Sequence, residues 1–182
     1  MNKIKLFFTF VTCFFLISCQ MSQKKRIEKI IQEWQGKEII IPATIKFKTL
    51  GQDTLCSDLW NKPYKIFTYV DSIGCASCQL GVLEWKGIIQ LCHQQQMDVG
   101  FIFVVHASNF NRFEADIRIQ GFDYPIIYDY HNEFDKLNHF PADPYRTFLL
   151  DKDNNIQLIG SPVNNPQMWE LYIKIITQLS LP

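Results

Sequence analysis

The stretch that constrains this chain most is Asp98–Val105, DVGFIFVV, which is apolar at nearly every position after the first. A strand of that composition has no polar face to offer water, so it must be covered on both sides. Its neighbours fit a sheet. Tyr64–Val70 (YKIFTYV) reads as a strand, and Tyr124–Tyr128 (YPIIY) as a short one whose Pro125 suits its first positions or an edge. Helical patterns lie between them. From Cys75 to about Gln96, the residues Cys78, Val82, Trp85, Ile89 and Cys92 form one continuous helix face. Leu80, Leu83, Ile88 and Leu91 give this long helix a second apolar side. Asn109–Ile119 fits another helix, stopped by Gly121, and His131–Asn138 a shorter one. Such alternation implies an α/β fold with a parallel sheet and helices on both of its faces.

The ends of the pattern differ. Arg146–Leu150 and Ile156–Ile159 are strands joined by the short polar run Asp151–Asn155, an antiparallel hairpin at one edge. Pro166–Leu179 is a closing amphipathic helix with Asn165 as its N-cap. Near the start, Ile27, Ile30, Ile31 and Trp34 mark an amphipathic helix over Ser22–Trp34, ended by Gly36. Glu38–Ile41 and Thr44–Lys48 are β-rich, and Gly51-Gln52-Asp53 reads as the turn of a hairpin. The expectation is a central mixed β-sheet with helices on both faces and an N-terminal helix/hairpin extension. Within 182 residues no compositional break divides the segment from 38 to 182, so it reads as one domain. Residues 19–37 read as a tether and N-terminal helix.

Hydrophobic residues make up 47% of the chain, which excludes disorder for most of it. The formal net charge is +0, with 18 basic and 18 acidic residues, so no nucleic-acid partner is implied. Residues 1–18 stand apart. Lys3 and Lys5 precede the apolar run Leu6–Ile17, which is short for a membrane span but suits a signal peptide. The run ends in Leu16-Ile17-Ser18-Cys19, which resembles the bacterial lipobox. That resemblance implies cleavage before Cys19, a lipid anchor on it, and a domain held at a membrane in an oxidising, extracytoplasmic space.

Cys13 falls in the leader, which leaves Cys56, Cys75, Cys78 and Cys92. Cys75-Ala76-Ser77-Cys78 sits where a strand passes through a short loop into a helix. At i, i+3 both sulfurs share a face and can close a disulfide. A helix start offers free N–H groups and the positive end of the dipole, which stabilise a thiolate at Cys75. Cys75 is then the attacking sulfur and Cys78 the resolving one. The same spacing serves zinc sites, which need a second ligand pair, and structural disulfides, which gain little from so small a loop. Cys92, on the apolar stripe, reads as a small buried hydrophobe. Cys56 is undecided between free thiol and partner of another. His106 and Asp71, each ending a strand near the site, are candidates for proton transfer.

A strand, C-x-x-C opening a long helix, β-α-β, and then Thr147-Phe148-Leu149-Leu150-Asp151-Lys152-Asp153 entering a hairpin resemble the thioredoxin fold. The chain is similar in particular to the extracytoplasmic TlpA and peroxiredoxin-related group, over about residues 38–180. The resemblance implies a thiol–disulfide oxidoreductase, most often a reductant. It implies protein or small-molecule disulfide substrates, a membrane electron donor and no cofactor. Cys75 matches the group's nucleophile and Cys78 its resolving cysteine. Two positions depart from the pattern. Gly74 replaces the usual Trp, and the place of the groove proline before the Thr147 strand is held by Tyr145, with Pro144 one residue earlier. Pro144 and Tyr145 are the expected substrate-groove residues. A thiol peroxidase would carry a proline upstream of Ser72, which is missing; a copper chaperone of the Sco type would need C-x-x-x-C. The alternative to exchange is a non-catalytic binding lipoprotein with a structural disulfide.

Overall fold

The structure, a computed structural model, describes residues 23–71, 75–142 and 144–178. Two compact units divide at Gln35/Gly36. The first holds helix α1, residues 23–34. Ile30 and Trp34 are its buried positions, whereas Ile27 and Ile31 stay 40% and 43% exposed. Cys19 and the leader lie outside the described residues. No helix among the described residues is long and apolar enough to cross a membrane.

The second unit is built on a seven-stranded mixed sheet. Its strands are β1 (Phe47–Thr49), β2 (Gln52–Thr54), β3 (Tyr64–Val70), β4 (Val99–Val105), β5 (Ile126–Tyr128), β6 (Thr147–Leu150) and β7 (Ile156–Ile159). Their spatial order is β2-β1-β5-β4-β3-β6-β7. β3, β4 and β5 run parallel, and β6 and β7 complete the sheet antiparallel beyond β3. All residues of β3 and β4 are buried, as the unbroken apolar run of β4 demands; β3 buries Lys65 and Thr68 among its apolar residues as well.

Helices α2 (Ala76–Leu80), α3 (Val82–Gln94), α4 (Phe110–Ile119), α5 (Glu133–Asn138) and α6 (Pro166–Gln178) follow the strands. Alternate residues of the sheet, Ile66, Phe101, Phe103, Val105, Ile126 and Leu149, share one core with Trp85 of α3, Phe113 and Ile117 of α4, and Tyr172 and Ile176 of α6. Trp85 meets Phe103 edge-on with ring centroids 5.3 Å apart. Side chains of the other parity point to the opposite face. There Phe67 packs against Phe134 of α5 and against Phe140 just beyond it.

Several sequence expectations shift. The long helix from Cys75 is broken at Gly81, whose φ of +66° ends α2 and starts α3 in the left-handed region. The Glu38–Ile41 strand is reduced to one bridge, Glu38 with Asn155. Its next backbone groups are taken instead by a side chain: Ile40 N–H donates to Asn138 Oδ1 and Asn138 Nδ2 donates to Ile40 O, both at 2.8 Å. The hairpin turn is Leu50-Gly51, both at positive φ as a type I′ turn requires, so Gln52 and Asp53 belong to β2. That hairpin is no free extension, because β1 pairs with β5 and extends the main sheet. β5 is therefore internal, with Pro125 just ahead of it.

Among the described residues, Lys65 is a cation held inside this unit. Lys65, on β3, is fully buried, and its Nζ donates to the carbonyls of Lys152 at 3.0 Å and Trp60 at 3.3 Å. Burial pushes the Lys65 ammonium below its ordinary value, an effect opposed by the charges of Asp151 and Asp153.

Candidate functional site

Cys75 is the N-cap residue of α2 and has extended backbone geometry. Cys75 and Cys78 are joined by a disulfide, with Cα atoms 5.2 Å apart. The Cys78 N–H, a free donor of the first helical turn, donates to Cys75 Sγ at 3.3 Å. α2 is short, Ala76–Leu80, so what it offers the Cys75 sulfur is this local N–H rather than the dipole of a long helix. Both cysteines are exposed, so both sulfurs can be reached from outside.

The disulfide stands between two clefts. On the Cys78 side a cleft of about 290 Å³ is lined by Gln79, Glu84, Pro144, Arg146 and Ser161, among others. Pro144 thus faces the same space as Cys78, whereas Tyr145 is not among the residues lining it. Asp71 borders this cleft too, tied in an ion pair to Arg146 Nη1. Arg146 also donates from Nε to the Pro141 carbonyl at 2.8 Å and lies over the Tyr69 ring. Asp71 therefore anchors the loop before β6 through Arg146. On the Cys75 side a cleft of about 240 Å³ is lined by Ser77, Ser108, Asn109, Arg112 and Asp116, among others.

One contact was not foreseen from the sequence. Ser77, 3% exposed, donates from Oγ to Asp116 Oδ2 at 2.9 Å and lies 3.3 Å from Cys75 Sγ. Asp116 comes from α4, thirty-nine residues along the chain. No local spacing or motif signals such a pair; only the packing of α4 beside α2 creates it.

The remaining candidates are not among the residues lining the two clefts beside the disulfide. His106 Nδ1 is 2.7 Å from the Asp129 carbonyl oxygen, and His106 lines neither cleft beside the disulfide. Cys92 is free and buried, and burial pushes its thiol up to about 11. Cys56 is a free, half-buried thiol raised by burial and by the charge of Asp58, in a separate apolar cleft with Ile45, Leu55 and Trp60. Among the described residues no group of three or more His, Cys, Asp or Glu side chains is placed to hold a metal ion.

No protein-family model matches the chain, and no curated protein matches it. Solved structures do. The thioredoxin domain of a thiol-disulfide oxidoreductase from Bacteroides vulgatus aligns with a TM-score of 0.55 at 12% identity, covering 78% of this chain and 97% of that one. A thiol:disulfide interchange protein from Bacteroides sp. aligns at 0.56 and 10% identity, covering 79% and 91%. StoA from Bacillus subtilis aligns at 0.51 and 21% identity, covering 71% and 98%. The fold is thioredoxin-like, with the Cys75–Cys78 pair at the start of the helix that follows β3.

Proposed function

We propose that the protein is a thiol–disulfide oxidoreductase, tethered by a lipid on Cys19 to the outer side of a membrane and working as a reductant. The observation that carries the reading is the Cys75–Cys78 disulfide at a helix start, with the Cys78 N–H directed at Cys75 Sγ. That N–H favours a charged sulfur, and exposure lets a substrate reach it. The names of the similar solved structures point to the same class of chemistry.

The exchange proceeds in two balanced steps. The reduced Cys75 thiolate attacks one sulfur of a substrate disulfide; that S–S bond breaks, and the departing thiolate takes a proton. Cys78 then gives up its proton and attacks Cys75 Sγ, which releases the second substrate thiol and closes the Cys75–Cys78 disulfide. Two electrons pass to the substrate, and a membrane-side donor must return them. Pro144 and Tyr145 form the groove for a protein or small-molecule disulfide in this reading, with Pro144 lining the cleft that Cys78 borders. No cofactor enters. In this reading residues 1–18 are the leader, 19–37 the tether and helix, and 38–182 the exchange domain.

The test is alkylation of the reduced full chain against pH, each cysteine followed by mass spectrometry. An apparent Cys75 value well below the free-thiol ~8.5, with Cys78 lagging, supports exchange. If both titrate as ordinary thiols and the disulfide resists reduction, the protein is a binding lipoprotein instead. The tether is tested separately: Cys19→Ser should move the protein from the membrane fraction to the soluble one.

A further inference from the structure

We infer that Ser77 and Asp116 are a positioning pair that withholds a hydrogen bond from the Cys75 thiolate and so holds the Cys75–Cys78 couple on the reducing side. This rests on the exchange reading above. Ser77 Oγ stands between Asp116 Oδ2 at 2.9 Å and Cys75 Sγ at 3.3 Å. A hydroxyl has one proton to give, and a carboxylate oxygen is a far stronger acceptor than a disulfide sulfur. The proton therefore goes to Asp116, and Ser77 turns lone pairs toward Cys75. Ser77 itself is 3% exposed, so its hydroxyl is held between these two partners.

The consequence appears on reduction. As a thiol, Cys75 can donate its S–H to Ser77 Oγ while Ser77 donates to Asp116, and every group in the row is satisfied. As a thiolate, Cys75 competes with the Asp116 carboxylate for the single Ser77 proton. The row favours the thiol. Opposing it are the Cys78 N–H on the same sulfur and the positive Arg112, which lines the same cleft from α4. The other charges nearby, Glu84 of α3 and the Asp71–Arg146 pair, line the cleft on the Cys78 side. Couples whose reduced form is strongly stabilised are oxidants. Denying the thiolate one donor moves this couple the other way.

A double-mutant cycle tests the pair. Cys75 alkylation is followed against pH in the reduced full chain for the parent, D116N, S77A and D116N/S77A. In D116N the new amide can donate to Ser77 Oγ and free the Ser77 proton for sulfur. A hydrogen bond to a charged group of ordinary strength then lowers the apparent Cys75 value by about one pH unit. In the S77A background the same Asp116→Asn change should lose most of that shift. Equilibration with reduced and oxidised glutathione should show D116N as the more oxidising protein by several-fold, up to about tenfold. The inference is overturned if D116N leaves Cys75 unchanged. It is equally overturned if the shift is the same with and without Ser77, since that is a plain charge effect. A parent protein that reduces no disulfide overturns the exchange reading instead, while the cycle on the Cys75 titration still decides the pair.

Discussion

Cys75 and Cys78 differ in what surrounds them, and the difference has kinetic consequences. Cys75 Sγ receives the Cys78 N–H, while Cys78 borders the cleft that holds Pro144. Cys75→Ser should therefore abolish exchange, whereas Cys78→Ser should leave attack intact and accumulate a mixed disulfide with substrate. Non-reducing mass spectrometry of each variant after incubation with a disulfide substrate checks this. Cys92 behaves as a different kind of thiol. Its folded value is raised from 9.0 to about 11 by burial, so the folded chain holds that proton more tightly than the unfolded one. Below 9.0 the two states are equally protonated and nothing is lost. As pH rises from 9.0 toward about 11, stability should fall by at most about 1.4 kcal/mol per pH unit from this group. Urea unfolding at a series of alkaline pH values should show a shallower decline for Cys92→Ala than for the parent. The cysteine pair was legible in the sequence because its chemistry is local: two sulfurs three residues apart at a strand-to-helix junction. Ser77 with Asp116 was not, because thirty-nine residues separate two unremarkable polar side chains until α4 packs beside α2.

The strands and helices tell a similar story of local signals and tertiary overrides. Tyr64–Val70 matches its predicted limits because its apolar and aromatic residues run to both ends of a strand buried along its whole length, and the polar Lys65 and Thr68 fall inside it. Gly81 sits inside an apolar stripe that continues on both sides, so periodicity alone could not show that the helix breaks there. Its φ of +66° makes it the natural site for a test. A Cβ there would meet Glu84 Oε2 at 3.5 Å and Val163 Cγ1 at 3.9 Å, both ordinary contacts. Gly81→Ala should thus lose only the backbone strain, about 1–2 kcal/mol in chemical denaturation. Gly100 has the opposite reason for being glycine: a Cβ on this β4 residue would lie 2.6 Å from the Leu59 carbonyl oxygen, in the 3-10 turn Ser57–Asn61. The β1–β2 turn was read one residue late, from Gly51, since Leu50 at φ +49° is not a residue that advertises a type I′ turn. Pro125 left two readings open, the first positions of its strand or an edge; it sits just ahead of β5, which is paired on both sides, so the first reading holds.

The second unit as a whole couples its disulfide to a sheet shared by all its helices, so redox state and global stability are linked. For a reductant the oxidised form is the favoured one, and the folded chain should favour it more than the unfolded chain does. Urea denaturation should then give a higher midpoint for the oxidised protein than for the reduced one; the reverse order would mark an oxidant. The overall α/β architecture was readable from alternation alone, but the place of the β1–β2 hairpin was not, because its pairing with β5 joins residues about eighty positions apart. Lys65 offers a way to watch the whole unit open. Its amine has no route to a bulk reagent while β3 is covered and the Trp60 and Lys152 carbonyls hold it. Lysines at the surface acylate on contact, whereas this one should be labelled only at the rate of global opening. A single peptide in a timed labelling experiment would then serve as an internal clock, separating fraying at the margins from loss of the core.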